Sequence, residues 1–366
     1  MTPINHRLLT RRTNLADSLV DSVAGAQDLA EGELVLKVDR FALTTNNITY
    51  AAFGDTIGYW QVFPTGREGW GQMPVWGFAD VARSRAPGVP EGARLWGYLP
   101  IADELRVQAQ DVTRRSLVDG APHRAAVPQV YSRYVRCYGD PNYRPELEAC
   151  QALFRPLFIT SYTAADHLRE QDFFGARRLV ISSASSKTAY GLAWRLRAGA
   201  PPLVALTSPA NRGFVERLGC YDEVIDYDAL ETLSTDTPTL YVDLAGSAPL
   251  RRRVHLHFGA MLTYDCLVGS TQSDAFPSDP DLPGPEPRFF FAAERLDRHR
   301  AEGTLQAFLD RFERDQAEFY QRVSDPDAPW IDIVEREGFD AAAAIIRDLV
   351  DGRSDPAVGH LVRLPR

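Results

Sequence analysis

With 366 residues, the chain is too long for one ordinary core, and its 45% hydrophobic and 24% charged residues are those of a folded protein. A formal net charge of −9 opposes nonspecific binding to nucleic acid or an anionic membrane. No apolar run approaches the roughly 20 residues of a membrane helix.

The N-terminal MTPINHRLLTRR has no apolar secretion core. Cys137, Cys150, Cys220 and Cys266 are far apart and form no C-x-x-C pair, so they read as small buried hydrophobes. The expectation is a reduced, cytoplasmic protein with no nucleic-acid or membrane partner.

Residues 33–85 are rich in Gly, Trp, Tyr and Phe, with short alternating segments such as Leu34–Val38 and Val75–Ala79 separated by turn pairs. This is the pattern of a β-rich domain, and it continues through 93–107. Residues 119–146 are irregular and read as an insertion or connector.

The period changes after Leu153. Residues 153–171 read as a helix, followed by strands at 177–182, 203–207, 223–227, 239–246 and 262–269. Helices at 187–198, 211–219 and 248–258 separate most of them, so βαβ units and a parallel sheet are expected. The five prolines of 272–287 mark a loop, 289–293 an edge strand and 294–323 one long helix. A strand at 330–334, a helix at 339–350 and a strand at 360–364 close the chain. The domain expectation is therefore 1–146 with 326–366, and 147–325.

The most informative segment is LVISSASSKTA (179–189), a buried strand running through small polar residues into a helix. Backbone N–H groups at such a turn can hold a pyrophosphate. Lysine occurs only at Lys37 and Lys187, so a lysine at this helix start stands out. It lies where the helix dipole disfavours a cation, and a bound anion would explain it.

Three readings compete. A Walker A loop would need glycine at Ile181 and Ser186. A short-chain dehydrogenase needs Tyr-x-x-x-Lys, but Glu33 and Ser183 lie four residues before the two lysines. A medium-chain reductase would place its A-x-x-G-G-V-G turn here, although glycine is absent until Gly191. An eroded turn that binds no nucleotide is the plain alternative.

Other segments resemble the zinc-independent quinone-oxidoreductase and enoyl-reductase branch of the medium-chain dehydrogenase/reductase superfamily. ELVLKVDRFALTTNNITY (33–50) is similar to its early strand and Asn-containing loop, and FITSYTAADHL (158–168) to its Thr-Ala helix. RLGCYDEVIDY (217–227), VDLAG (242–246) and GHLVRLP (359–365) are similar to its later joins, in the right order. Residues 119–146 are not covered, and the chain more closely resembles an offshoot catalogued as a domain of unknown function. The resemblance implies a Rossmann-type doubly wound α/β sheet plus a β-rich GroES-like catalytic domain.

VWGFADV (75–81) stands where zinc-dependent members have G-H-E, and the structural cysteine cluster is missing, so no metal is expected. His255-x-His257 is the nearest ligand pair and reads as solvated or structural. The second strand ends in Thr207-Ser208, followed by Asn211-Arg212, where an NAD enzyme carries an acid. Hydroxyls and a guanidinium suit a 2′-phosphate, so NADPH is expected over NADH. Its contacts would be Ser183, Ser185, Ser186, Lys187, Thr188, Thr207, Ser208, Asn211, Arg212 and Tyr227.

By resemblance, the catalytic apparatus would come from the loop after Asn46 and Asn47. Tyr59 is the first choice as proton donor and Tyr50 the second; Tyr162 and Tyr264 are wall candidates. The expected function is zinc-free NADPH-dependent reduction of an activated C=C or C=O bond in a hydrophobic or planar carbonyl substrate. The alternatives are a non-redox enzyme and a non-catalytic nucleotide-binding protein. A homodimer through 289–293 is also expected.

Overall fold

The computed structural model describes residues 4–25, 28–55, 58–140, 143–269 and 281–365. The chain divides into two compact units, Met1–Leu153 with Asp332–Arg366, and Phe154–Ile331.

The first unit opens with a hairpin of β1 (Ile4–Arg11) and β2 (Asn14–Ala24), which the sequence pattern does not announce. Most of its side chains are only half buried, so its alternation is weak. After β3 (Glu33–Leu43) comes a helix, α1 (Thr45–Ala52), where the sequence reading has a loop. Its N-terminus carries the reason: Thr44 Oγ1 accepts from Asn46 N, and Asn47 Oδ1 accepts from Thr44 N at 2.8 Å. This is a capping box with Asn in place of the usual Glu or Gln.

Strands β4 (Trp70–Gly71), β5 (Pro74–Ser84), β6 (Arg94–Pro100), β7 (Glu104–Gln110), β8 (Ser116–Asp119) and β9 (Arg133–Arg136) follow. The 119–146 segment is thus built into the sheet through β9. The order β3-β5-β6-β9-β8-β7, closed by β3 on β7, makes an antiparallel barrel. Closure leaves these strands without an exposed edge.

The second unit begins within α2 (Glu148–Glu170), whose first residues belong to the barrel unit. Its sheet contains β10 (Arg178–Ile181), β11 (Leu203–Thr207), β12 (Glu223–Asp226), β13 (Thr239–Asp243), β14 (Leu262–Leu267) and β15 (Arg288–Phe289). All pairs are parallel, in the order β12-β11-β10-β13-β14-β15. The connecting helices are α3 (Lys187–Leu196), α4 (Pro209–Leu218) and α5 (Ala248–Phe258). Side chains alternate between two cores: Leu179 and Ile181 pack with Leu192, Leu196 and Leu168, while Val180 packs with Leu206, Tyr241 and Val254.

Several boundaries differ from the sequence reading. The strand expected over 239–246 ends at Asp243, whose carboxylate accepts from the N–H groups of Ala245 and Gly246 and curls the chain. The edge strand expected over 289–293 stops at Phe289, because Phe291 already caps α6 (Ala292–Ala301). The single helix expected over 294–323 is broken at Gly303 (φ +70°), giving α6 and α7 (Leu305–Val323). Residues 272–280 of the expected 272–287 loop lie outside the described residues.

The barrel unit is completed by β16 (Asp332–Glu337), α8 (Gly338–Val350) and β17 (Val358–Arg363). Strand β17 pairs antiparallel with Phe41 and its neighbours on β3, and α8 buries Ala342, Ile345, Ile346 and Leu349 in the barrel core.

Candidate functional site

The sheet order β12-β11-β10-β13-β14-β15 reads as 3-2-1-4-5-6, so the strand order reverses between β10 and β13. Open parallel sheets bind ligands at the carboxyl ends of the strands flanking such a point. The turn leaving β10 is Ser182–Ser186, and α3 starts at Lys187.

The turn has no glycine, yet Ser183 is left-handed (φ +48°). That conformation costs a non-glycine residue about 1–2 kcal/mol, so neighbouring groups must enforce it. Ser183 N–H donates to Tyr227 Oη at 3.0 Å, and Tyr221 Oη donates to the Ala184 carbonyl at 2.9 Å. Asn211 Nδ2 donates to Ser185 Oγ at 3.2 Å, and Ser186 Oγ caps α3 at Ala189 N. Ser182 Oγ donates to Asp243 Oδ1 at 2.8 Å and accepts from Leu244 N and Ala245 N.

Below this turn lies a charge network with no sequence signature. Arg251 bridges Asp243 (2.6 Å) and Asp265 (2.9 Å), and all three are essentially inaccessible. His255 joins through Nε2 to Asp265 at 2.8 Å and through Nδ1 to the Pro283 carbonyl at 2.6 Å. His257 is bonded elsewhere, to the Leu233 carbonyl. The two histidines point apart, as i and i+2 on a helix must.

The expected nucleotide contacts gather at the carboxyl ends of β10, β11 and β12. Ser183, Ser185, Ser186, Lys187 and Thr188 form the first turn, Thr207 and Ser208 end β11, Asn211 and Arg212 lie in α4, and Tyr227 follows β12. Thr207 is 1% exposed, backbone included, so it lies beneath the surface that the other residues present. Arg212 is 43% exposed and paired with Glu216 (2.8 Å) and Asp226 (3.3 Å). A phosphate at Arg212 would compete with these two carboxylates.

In the barrel unit, Asn46 and Tyr50 share one face of α1 at i and i+4 spacing. Tyr50 Oη accepts from Trp76 Nε1 at 3.2 Å and is hydrogen-bonded to the Asn46 side chain. Tyr59 follows Gly58 (φ +81°) and packs against Tyr50, with ring centroids 4.8 Å apart. Its hydroxyl meets that of Tyr131 at 2.8 Å. Burial raises the pKa of both Tyr50 and Tyr59, and the bonds from Trp76, Asn46 and Tyr131 oppose that rise. Both phenols therefore stay protonated at neutral pH.

Asn47 is not part of this group. Besides its bond to Thr44, its amide donates to the Pro74 carbonyl at 2.8 Å, so its side chain fixes the start of α1 against β5. Tyr264 stacks on Phe174, and Tyr162 lies among Phe158, Phe308 and Phe312. An open cleft of about 440 Å³ beside Trp60 is lined by Pro64, Gln61, Arg12, Arg67 and His123. Asp55 and Asp21 already pair its two arginines.

Among the described residues, Asp166, Glu170 and His299 bring ligand atoms within metal-binding reach of one another. Arg295 is bonded to Asp166 and Glu170 at 3.4 and 2.6 Å, and its guanidinium would oppose a cation there. No disulfide joins the four cysteines. No described helix is long and apolar enough to cross a membrane.

A six-stranded parallel sheet with a reversal at β10/β13, together with a closed antiparallel barrel, is the fold of the medium-chain dehydrogenase/reductases. The chain belongs to the family described as "Protein of unknown function (DUF2855)", whose model matches residues 41–355. No curated protein matches the sequence. Among solved structures, it is similar to CurA from Vibrio vulnificus in complex with NADPH, at TM-score 0.56 and 12% identity over 94% of both chains. It is also similar to the yhdH oxidoreductase from Salmonella enterica in complex with NADP, at TM-score 0.54 and 13% identity over 99% of this chain and 100% of the other. A quinone oxidoreductase from Coxiella burnetii matches at TM-score 0.51 and 11% identity, over 99% of this chain and 100% of that one.

Proposed function

We propose that the protein is an NADPH-dependent reductase of an activated C=C or C=O bond, working without zinc. The observation that carries this reading is the turn after β10. Side chains from four other segments hold a turn of five small residues, with Ser183 in a strained left-handed conformation, at the strand-order reversal. Strain of this kind persists where surroundings over-determine it, and it clusters at ligand sites. Small side chains let a pyrophosphate approach the backbone at the N-terminal end of α3, where the helix dipole favours an anion. Solved structures of the same fold carry NADPH or NADP, which supports this choice of cofactor.

In this reading Ser183, Ser185, Ser186, Lys187 and Thr188 hold the diphosphate. Ser208, Asn211, Arg212 and Tyr227 face the adenosine ribose and its 2′-phosphate, with Thr207 buried behind them. A nicotinamide held there would supply hydride. Tyr50, its oxygen already accepting hydrogen bonds, directs its own O–H to the acceptor oxygen, and Asn46 fixes that orientation. Tyr59 supplies the proton. An aromatic surround of Trp76, Tyr98 and Tyr131 suits a planar, apolar carbonyl compound. Pairing of two copies along the exposed edge strand β15 belongs to the same proposal; Phe289 there is 47% exposed.

The test is titration of the purified chain with NADPH, NADH and ATP, followed by nicotinamide fluorescence and ATP competition, then turnover on enones, quinones and ketones. NADPH should bind more tightly than NADH, and Tyr59→Phe should slow turnover about 100-fold without changing NADPH affinity. Binding of ATP in place of NADPH, or NADPH binding with no turnover on any acceptor, refutes the reductase reading.

A further inference from the structure

Tyr131 lies in the 119–146 segment, outside every motif that points to the reductase fold, yet its hydroxyl is 2.8 Å from that of Tyr59. Its position is tightly built. Arg124 Nη1 donates to the Tyr131 carbonyl at 3.1 Å, and Arg124 Nη2 to Tyr134 Oη at 3.3 Å. Arg124 is itself paired with Asp119 at 2.8 Å, both side chains being 1% exposed. Asp119 in turn accepts from the backbone N–H groups of Gln108 and Ala121. Tyr134 Oη donates to the Tyr98 carbonyl, and its ring fills the space above Gly97, where a Cβ would come within 2.5 Å of it. A buried ion pair is a poor source of net stability, so its effect here is to fix the backbone that presents Tyr131.

The Tyr131 ring is also locked. It meets Tyr59 edge-on at 5.3 Å and Tyr98 at 4.9 Å, and is 7% exposed. A phenol that gives up its proton can only accept, and the hydroxyl facing the Tyr59 oxygen is that of Tyr131. The bond from Tyr131 lowers the Tyr59 pKa against the rise from burial, in keeping with a donor on the Tyr131 side.

We propose that Tyr131 is a positioning residue for Tyr59: by donating its O–H to Tyr59 Oη, it leaves the Tyr59 proton free for the acceptor and stabilises the phenolate that remains. The inference rests on the reductase reading. In the step, an acceptor carbon that took hydride from a bound dihydronicotinamide would pass its π pair to the acceptor oxygen. The Tyr59 O–H bond breaks, and its proton passes to that oxygen. The phenolate left on Tyr59 is held by the Tyr131 hydroxyl until solvent returns a proton.

The experiment compares Tyr131→Phe, Tyr59→Phe and the double variant of the full chain. Readouts are single-turnover NADPH oxidation, NADPH affinity, and the ¹³Cζ resonance of Tyr59 in labelled protein, assigned by its loss in Tyr59→Phe. A hydrogen bond to a charged group predicts a rate loss of about 10- to 100-fold in Tyr131→Phe, with NADPH affinity unchanged. The Tyr59 resonance should move. In the Tyr59→Phe background the same substitution should cost nothing further, because its effect passes through Tyr59. Simple loss of packing would persist in that background and overturn the inference, as would a wild-type rate in Tyr131→Phe. A wild-type chain that binds NADPH but reduces no acceptor overturns the reductase reading as well, whereas the preceding outcomes overturn only the role of Tyr131.

Discussion

Replacing Arg251 with Met should unfold the parallel-sheet unit more readily by about 3–5 kcal/mol, the range for breaking a buried ion pair by removing one partner. The upper half of that range is expected, because Arg251 is 2% exposed and serves two carboxylates, Asp243 and Asp265, both at 0%. Asp243 would keep Ser182, Ala245 and Gly246 as donors, and Asp265 would keep His255, so neither is stripped completely. With a urea slope of about 2–3 kcal/mol per molar, the midpoint should fall by roughly 1.3–2.5 M. Adding Asp265→Asn should recover part of the loss by removing one uncompensated charge. The pH dependence has a definite sign. Burial raises the Asp243 pKa even beside Arg251, and without Arg251 it must rise further. A carboxyl whose folded pKa is raised loses stability as pH increases above its unfolded value, so the variant's deficit should shrink as pH falls. Urea unfolding followed by circular dichroism at two pH values measures all of this. A midpoint within about 0.3 M of wild type would refute the view that Arg251 balances the two acids.

Arg212→Glu should weaken NADPH about 10-fold and leave NADH unchanged, since a charge-assisted phosphate bond is lost but an exposed pair with Glu216 no longer has to be displaced; unchanged NADPH affinity by nicotinamide fluorescence would remove Arg212 from the site. Asn47→Ala should cost about 1–2 kcal/mol of barrel stability through loss of the cap at Thr44 and the bond to Pro74, measured by thermal unfolding. Burial pushes the Cys220 thiol up to about 12 and raises that of Cys266 further. Neither should react with iodoacetamide at pH 8 in the folded protein, and intact-mass analysis should show both modified only after denaturation.

Much of the parallel-sheet unit could be read from residues alone because buried strands such as Leu203–Thr207 are short apolar runs between helical periods. The turn after β10 stood out for the same reason, as did the reversal of period that frames it. The hairpin at Ile4–Ala24 did not, because its faces are too evenly exposed to leave an alternating pattern. Helix α1 was hidden by its β-branched and Asn residues, although Thr44 and Asn47 carried a cap signal in an unusual spelling. Gly303, by contrast, stood in plain view, and the reading of one helix over 294–323 passed over it. The phenol pair is of another kind: Tyr59 and Tyr131 are 72 residues apart, and they meet around Tyr98 of β6, which packs on Tyr131 and on Tyr50, the neighbour of Tyr59. The same holds for Arg251 with Asp243 and Asp265, whose charges look like ordinary surface residues until the helix is laid on the sheet.

A phosphate turn made of glycines carries its shape in its own backbone and can be altered without consulting its neighbours. The turn at Ser183 has no such independence, since Tyr227, Tyr221, Asn211 and Asp243 each hold one of its atoms or the serine before it. In the proposed reading, cofactor affinity is therefore a distributed trait. Drift at any of those four positions would surface as altered nucleotide binding, and a glycine fingerprint is the wrong signature by which to recognise relatives that solved the problem in the same way.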